Sequence, residues 1–264
     1  MGFITNRISV IGTYLAERVR HGTPTLVGSP EHQVIFVLDG VGRLQLAPLM
    51  VRKVLREQGC PAATVLYDWQ FGLVGEIWTD LMWLRRNRVM AAGLARKILA
   101  VRRDWPRTTI HVVAYSGGAG IALFACAYAG ARARIDTLLL ACPAVSPAFN
   151  LAPALCAVKR CYAMISPRDK WILGLGTRLF GTIDRSYAAA AGCTGFRIPG
   201  GLSANEQALY GRLREIYWEP ALRKLGHPGG HTGWVALRFL RRHLLAMLRG
   251  EPLLPQHAVP AGES

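Results

Sequence analysis

The chain has 264 residues, enough to bury a substantial core, and its 51% hydrophobic and 18% charged composition excludes disorder over most of its length. Its net charge of +16, from 32 basic against 16 acidic residues, raises the question of nucleic acid. The basic residues are scattered through every predicted helix rather than gathered beside aromatics, so no specific nucleic-acid partner is expected. The same charge predicts attraction to anionic surfaces, including acidic lipid headgroups, at low salt.

The six cysteines, Cys60, Cys126, Cys142, Cys156, Cys161 and Cys193, stand mostly in apolar surroundings and form no C-x-x-C pair. They are expected to be reduced core residues of a cytoplasmic protein, not disulfides or zinc ligands. No apolar run reaches about 18 residues without charge, so no clear transmembrane helix is expected, and no secretory h-region is visible near the start. Peripheral association with an anionic membrane is compatible with that location.

Along the chain, Ile4, Ile8, Ile11, Leu15 and Val19 share one helical face, which predicts an amphipathic helix over 4–19. A loop rich in turn formers is expected over 21–33, completing an N-terminal segment of residues 1–33. The main domain is expected over 34–249, and a mobile, Pro- and Gly-rich tail over 250–264.

Val34 to Leu38 is a continuous apolar run, as in a strand buried on both faces of a parallel sheet, and it ends in Asp39-Gly40-Val41-Gly42. Pro48 to Gln58 is predicted helical, and Thr64 to Tyr67 a second strand that leaves Asp68-Trp69 at its carboxyl end. Gln70 to Leu84, with Phe71, Ile77, Trp78, Leu81, Met82 and Trp83, is a candidate pocket wall. A basic amphipathic helix follows over Arg85 to Arg103, closed by Asp104-Trp105-Pro106.

Ile110 to Ala129 carries the most information. Its first residues are β-branched or apolar, Tyr115-Ser116-Gly117-Gly118 interrupts them, and an Ala-rich helical run follows at once. A serine at the apex of such a strand, turn and helix is forced into a strained backbone that pushes its hydroxyl clear of both elements. Small neighbours at Ala114, Gly117, Gly118 and Gly120 let strand and helix approach. Further strands are predicted at Thr137 to Ala141, followed by Cys142-Pro143, and at Cys161 to Ile165, followed by Ser166-Pro167-Arg168-Asp169. Only one helix fits between these two. Helical signal runs from Ser203 to Trp218, and a last helix from Trp234 to Leu248 follows the loop Gly226-His227-Pro228-Gly229-Gly230-His231. Five strands alternating with helices predict a mainly parallel sheet with helices on both faces, a three-layer α/β sandwich.

Ala114-Tyr115-Ser116-Gly117-Gly118, in this context, resembles the nucleophile elbow of the α/β-hydrolase superfamily, usually written Gly-x-Ser-x-Gly, in its Ala-x-Ser-x-Gly form. The resemblance covers about residues 34–248 and implies a serine hydrolase of carboxylic esters, esterase- or lipase-like, acting on a small-molecule or lipid-like ester. It implies Ser116 as nucleophile, then an acid, then a histidine. His231 is expected to be the base, since it directly precedes the last helix, with His227 as the alternative. Asp169, which follows a strand at the carboxyl edge, is the expected acid, with Asp184 its rival. The backbone N–H groups of Gly117 and of Gly40 or Val41 are expected to form the oxyanion hole.

Asp39 departs from the His-Gly pair many relatives carry at the corresponding strand end, and is expected to point away or to cap the next helix. Tyr115, Asp68 and Trp69 are candidate substrate contacts. Neither metal nor organic cofactor is implied, because Gly117-Gly118-Ala119-Gly120 lacks the Lys-Ser/Thr of a phosphate loop. Two other readings use the same residues: a protein of this fold that binds without catalysis, and a basic module that associates with anionic lipid surfaces.

Overall fold

The computed structural model describes residues 26–42, 44–70 and 77–251. The amphipathic pattern over 4–19, the pocket-wall residue Phe71 and the tail beyond Glu251 lie outside the described residues. The strands are β1 (Leu26–Val27), β2 (Ser29–Leu38), β3 (Ala62–Leu66), β4 (Thr109–Tyr115), β5 (Ile135–Ala141), β6 (Val158–Ile165) and β7 (Leu213–Tyr217). They form one sheet in the order β1-β3-β2-β4-β5-β6-β7. All neighbours pair in parallel except β1, which runs antiparallel to β3.

The strands alternate their side chains between two cores, which is why they read as unbroken apolar runs. Val34, Phe36, Leu38, Ile110, Val112, Ala114, Leu138 and Leu140 face α3 (Leu84–Asp104), α4 (Gly117–Ala129) and α5 (Ala152–Cys156). Ile35, Val37, Val113, Tyr115, Leu139 and Ala141 face α1 (Leu46–Glu57) and α9 (Leu237–Arg249). α9 buries Phe239, Leu240, Leu244, Met247 and Leu248 against the sheet, each side chain adding roughly 1.5–3 kcal/mol of apolar burial. Arg238, Arg241 and Arg249 stay outside that face. Short helices complete the chain: α2 (Ile77–Met82), α6 (Thr177–Phe180), α7 (Ala191–Thr194) and α8 (Ala204–Leu209).

Two stretches differ from the sequence expectation. Residues 26–33 are not loop: β1 and the start of β2 are joined by Gly28 at φ 98°, where a Cβ would sit 2.8 Å from the Ala62 carbonyl oxygen. The pairing of β2 with β3 is irregular between Ser29 and Val34, and Pro30 falls in that interval, where it breaks no regular ladder. Ser203 to Trp218 is not one helix either. A capping box at Ser203 and Glu206 starts α8, but the helix ends at Leu209, and Leu213–Tyr217 adds an edge strand beside β6. Local helical propensity yields there to the open hydrogen-bonding edge that β6 would otherwise expose.

Because β2 to β6 are parallel, their carboxyl ends lie along one edge. The chain runs outward from β2 to β3 and then returns to place β4 on the other side of β2. This reversal opens a crevice between the ends of β2 and β4.

Candidate active site

Ser116 stands at that crevice with φ 53° and ψ −120°, a conformation outside the regions comfortable for a side-chain-bearing residue. The surroundings hold it there. Its N–H donates to the Ala141 carbonyl at 2.8 Å, and its own carbonyl accepts from Ala119 N–H at 3.1 Å and Ala144 N–H at 3.2 Å. The close approach that the motif requires is visible at Gly118, where a Cβ would lie 2.4 Å from the Asp39 carbonyl oxygen. At Gly40, a Cβ would come within 3.1 Å of Ser116 Cβ.

Ser116 Oγ lies 2.9 Å from His231 Nε2, and His231 Nδ1 lies 2.5 Å from Asp169 Oδ2. The three side chains therefore form one hydrogen-bonded series, with Ser116 and Asp169 at 6% and 3% exposure. Asp169 follows β6 through the turn Ser166 to Asp169, closed by a bond from Asp169 N–H to the Ser166 carbonyl at 3.0 Å. The Ser166 hydroxyl donates to the Gly229 carbonyl at 2.5 Å, which ties the acid turn to the histidine loop. Gly229 has φ 101°, and Arg168 occupies the space a Cβ would need. Two donors converge on the His231 carbonyl: the Cys142 thiol at 3.2 Å and the Tyr115 hydroxyl at 3.4 Å.

The remaining candidates stand elsewhere. His227 is fully buried, accepts the Gly229 N–H on Nδ1 at 3.1 Å and packs edge-on against Trp234. Burial pushes its pKa down to about 3, so it is a neutral brace of the loop. Asp184 accepts from Ser146 N–H at 2.9 Å and from the Thr182 hydroxyl at 2.6 Å, and closes its own turn. Trp69, offered by the sequence as a substrate contact, has no exposed surface and donates from Nε1 to the Asp39 carbonyl at 2.9 Å. Its indole lies against Gly117, 3.3 Å from where a Cβ there would stand, and braces the loop after β2. Tyr115 likewise is 6% exposed and turned to the His231 backbone. Asp68 is half-buried beside Trp69.

Gly117 opens α4, so its N–H belongs to the first-turn donors that have no acceptor within the helix. The Gly40–Gly42 loop faces it: Val41 Cγ1 would be 2.9 Å from a Cβ on Gly117. That loop is held by Gln70 Nε2, which donates to the Gly40 carbonyl at 2.7 Å, and by Asp80, which accepts the Gly42 N–H at 3.1 Å. Asp39 turns its carboxylate away from Ser116. It accepts the Leu46 and Ala47 N–H groups at 3.0 and 3.1 Å, and so caps α1. Burial raises its pKa to about 6, against the opposing pull of its backbone hydrogen bonds.

Sequence reasoning missed Cys142, Gln70, Ser166 and the bracing role of His227. Only Cys142 and Ser166 carried a signal, since each directly follows a predicted strand. Cys142 sits at φ 49°, and its thiol, Asp169 and His231 have ligand atoms within 4.8 Å of one another. Burial and the neighbouring Asp169 charge raise the Cys142 pKa well above the ordinary thiol range, so its S–H is the donor to the His231 carbonyl.

No family model matches the sequence, and no curated protein matches it. Among solved structures the chain is similar to one described as "Thioesterase Domain From Curacin Biosynthetic Pathway", with 13% identity, 80% of this chain and 89% of that chain covered, and a TM-score of 0.35. Among the described residues, no helix is long and apolar enough to cross a membrane.

Proposed function

We propose that this protein is a serine hydrolase of the α/β-hydrolase superfamily that cleaves carboxylic esters. The observation that carries the reading is the series from Ser116 Oγ through His231 to Asp169, at 2.9 and 2.5 Å, starting from a serine in a strained strand-to-helix turn.

A serine hydroxyl is a weak nucleophile until its proton is taken as the bond forms. In this mechanism His231 Nε2 accepts that proton while Ser116 Oγ adds to the ester carbonyl carbon. Asp169 holds Nδ1–H toward itself, so that Nε2 presents its lone pair, and stabilises the imidazolium that results. The carbonyl oxygen becomes an oxyanion, which the Gly117 N–H and the Gly40 or Val41 N–H receive, the Gly42 N–H being held by Asp80. Collapse of this adduct expels the alcohol, protonated by His231. Water then enters by the same route in reverse roles, and releases the acid and Ser116. Asp39 does not oppose the oxyanion, because its carboxylate is spent on the α1 amides.

The test is a series of p-nitrophenyl esters of increasing acyl length, assayed with the parental protein and with Ser116→Ala, alongside labelling by a fluorophosphonate. Label on Ser116 and ester turnover that disappears in the variant support the reading. Equal turnover by both proteins overturns it.

A further inference from the structure

The segment that leaves Asp169 turns an apolar face outward. Lys170–Gly176 forms a π-helical turn that continues into α6, and it buries Leu173 and Thr177 while Trp171, Ile172, Leu175 and Leu179 face solvent. Trp171 is 81% and Leu179 61% exposed. The patch continues at both ends. Tyr187, 57% exposed, lies against Gly181 at the end of α6. On the other side α2 packs on α6, and Met82 at its end and Trp83 just beyond it are each about half exposed. Contiguous exposed apolar surface of this kind marks a docking face rather than ordinary scatter.

Its charge is one-sided. Lys170 and Arg178 are exposed along the same segment, and Arg185 stacks on the Tyr187 ring at 5.4 Å. The two acids between residues 166 and 190, Asp169 and Asp184, are both turned inward to hydrogen-bonding partners. Like charges disfavour the nearest protein covers. A second copy would bring the same cations face to face, and residues 1–25 carry Arg7, Arg18 and Arg20 against Glu17. Aromatic side chains over an apolar face, rimmed by lysine and arginine, match instead the layered polarity of a lipid headgroup region with negative surface charge.

We propose that the face formed by Trp171, Ile172, Leu175, Leu179 and Tyr187, with Lys170, Arg178 and Arg185 at its rim, docks on the surface of an anionic lipid bilayer. Its base is continuous with the site. Gly174 N–H donates to the Asp169 carbonyl at 3.1 Å, and Ile183 packs where a Cβ on Gly120 would fall. Docking therefore sets the carboxyl edge of the sheet toward the membrane. The proposal concerns binding alone and stands apart from the hydrolase reading.

Flotation of the full chain with vesicles of phosphatidylcholine, with and without phosphatidylglycerol, tests it. The parental protein is expected to float with the phosphatidylglycerol vesicles at low salt. Lys170→Glu with Arg178→Glu should lower the partition coefficient about tenfold or more, since each basic group near the surface contributes on the order of a fivefold factor. Trp171→Ser with Leu179→Ser should lower it comparably through lost apolar insertion. Arg107→Glu with Arg134→Glu makes the same reversal of charge at the opposite edge of the sheet and should leave most of the binding. Circular dichroism of each variant controls for folding. Unchanged flotation of both patch variants, or equal loss in the opposite-edge variant, overturns the proposal. So does a change of oligomeric state in Trp171→Ser with Leu179→Ser at unchanged vesicle binding, which would show a protein cover instead. Ester turnover of the patch variants on a soluble substrate reads the hydrolase proposal separately.

Discussion

The two edges of the sheet use the same chemical groups to opposite ends. At the amino edge, Asp136 is 6% exposed, accepts the Ile110 N–H at 3.0 Å and pairs with Lys159 at 2.6 Å. Around it Arg102, Arg107, Arg134 and Arg212 line a cavity of about 550 Å3. At the carboxyl edge, Asp169 is as deeply buried, but its side-chain partner is the imidazole of His231. A carboxylate facing a lysine holds a permanent charge in place and can do little else. One facing an imidazole has a partner that can accept a proton and give it back. Positive φ occurs at both edges, at Ser116 and Cys142, which end β4 and β5, and at Arg134, which precedes β5; only Ser116 combines it with ψ −120°, outside the left-handed region that Arg134 occupies.

The sharpest way to break this contrast is at Ser116. Ser116→Ala should lower ester turnover on the order of 10^6-fold. Ser116→Gly should do the same while raising stability by about 1 kcal/mol, because glycine accepts φ 53° without strain. Active-site titration and urea unfolding read the two effects, and an active Ser116→Gly protein would dissolve the distinction between the edges.

Asp169→Asn should cost on the order of 10^4-fold in kcat with the fold preserved, since the amide favours the wrong imidazole tautomer and cannot stabilise the imidazolium. Asp136→Asn, its counterpart, should leave kcat within a few-fold and cost about 1–2 kcal/mol of stability. The outcome that sinks the comparison is the reverse pairing of effects. Asp184→Asn belongs with Asp136: it loses the charge in its bonds to Ser146 N–H and the Thr182 hydroxyl, and stability should fall by about 1 kcal/mol with turnover nearly unchanged.

The smallest effect concerns pH. Burial lowers the pKa of His111 to about 4, of His227 to about 3 and of His243 to about 4. Below the ordinary value of about 6.5 the unfolded chain therefore binds protons that the folded one refuses. The stability these groups contribute is present at pH 7.5 and is lost as pH falls toward 4. Asp39 acts in the opposite sense: raised to about 6, it takes up its proton earlier when folded and favours the folded state as pH falls from 6. Three histidines outweigh one carboxyl, so the urea midpoint should drop between pH 7.5 and pH 5. Neither ring nitrogen of His243 has a hydrogen-bond partner among the described residues. His243→Leu should then add about 1 kcal/mol at pH 7.5 and more at pH 5. An unchanged pH dependence in that variant would place the sensitivity elsewhere.

How much of this was legible before folding follows from the range of the forces involved. β4, the turn and α4 could be read from Ile110 to Ala129, because strand, apex and helix are set by local sterics and by burial on both faces. The Ser203 to Trp218 stretch could not, because β7 exists only where β6 offers an edge. The same holds for the site residues. Ser116 is marked by its immediate neighbours, whereas Asp169 and His231 stand 62 residues apart and meet only because β6 and the loop before α9 end at one corner of the sheet. Gln70 holds a loop from another strand and left no local pattern, and Ser166 was marked only by following a predicted strand. The sequence alone determined the layered α/β arrangement and the strained serine, which depend on short-range periodicity. Tertiary structure decided which carboxylate and which histidine reach that serine, because a hydrogen bond depends on distance in space and is indifferent to distance along the chain.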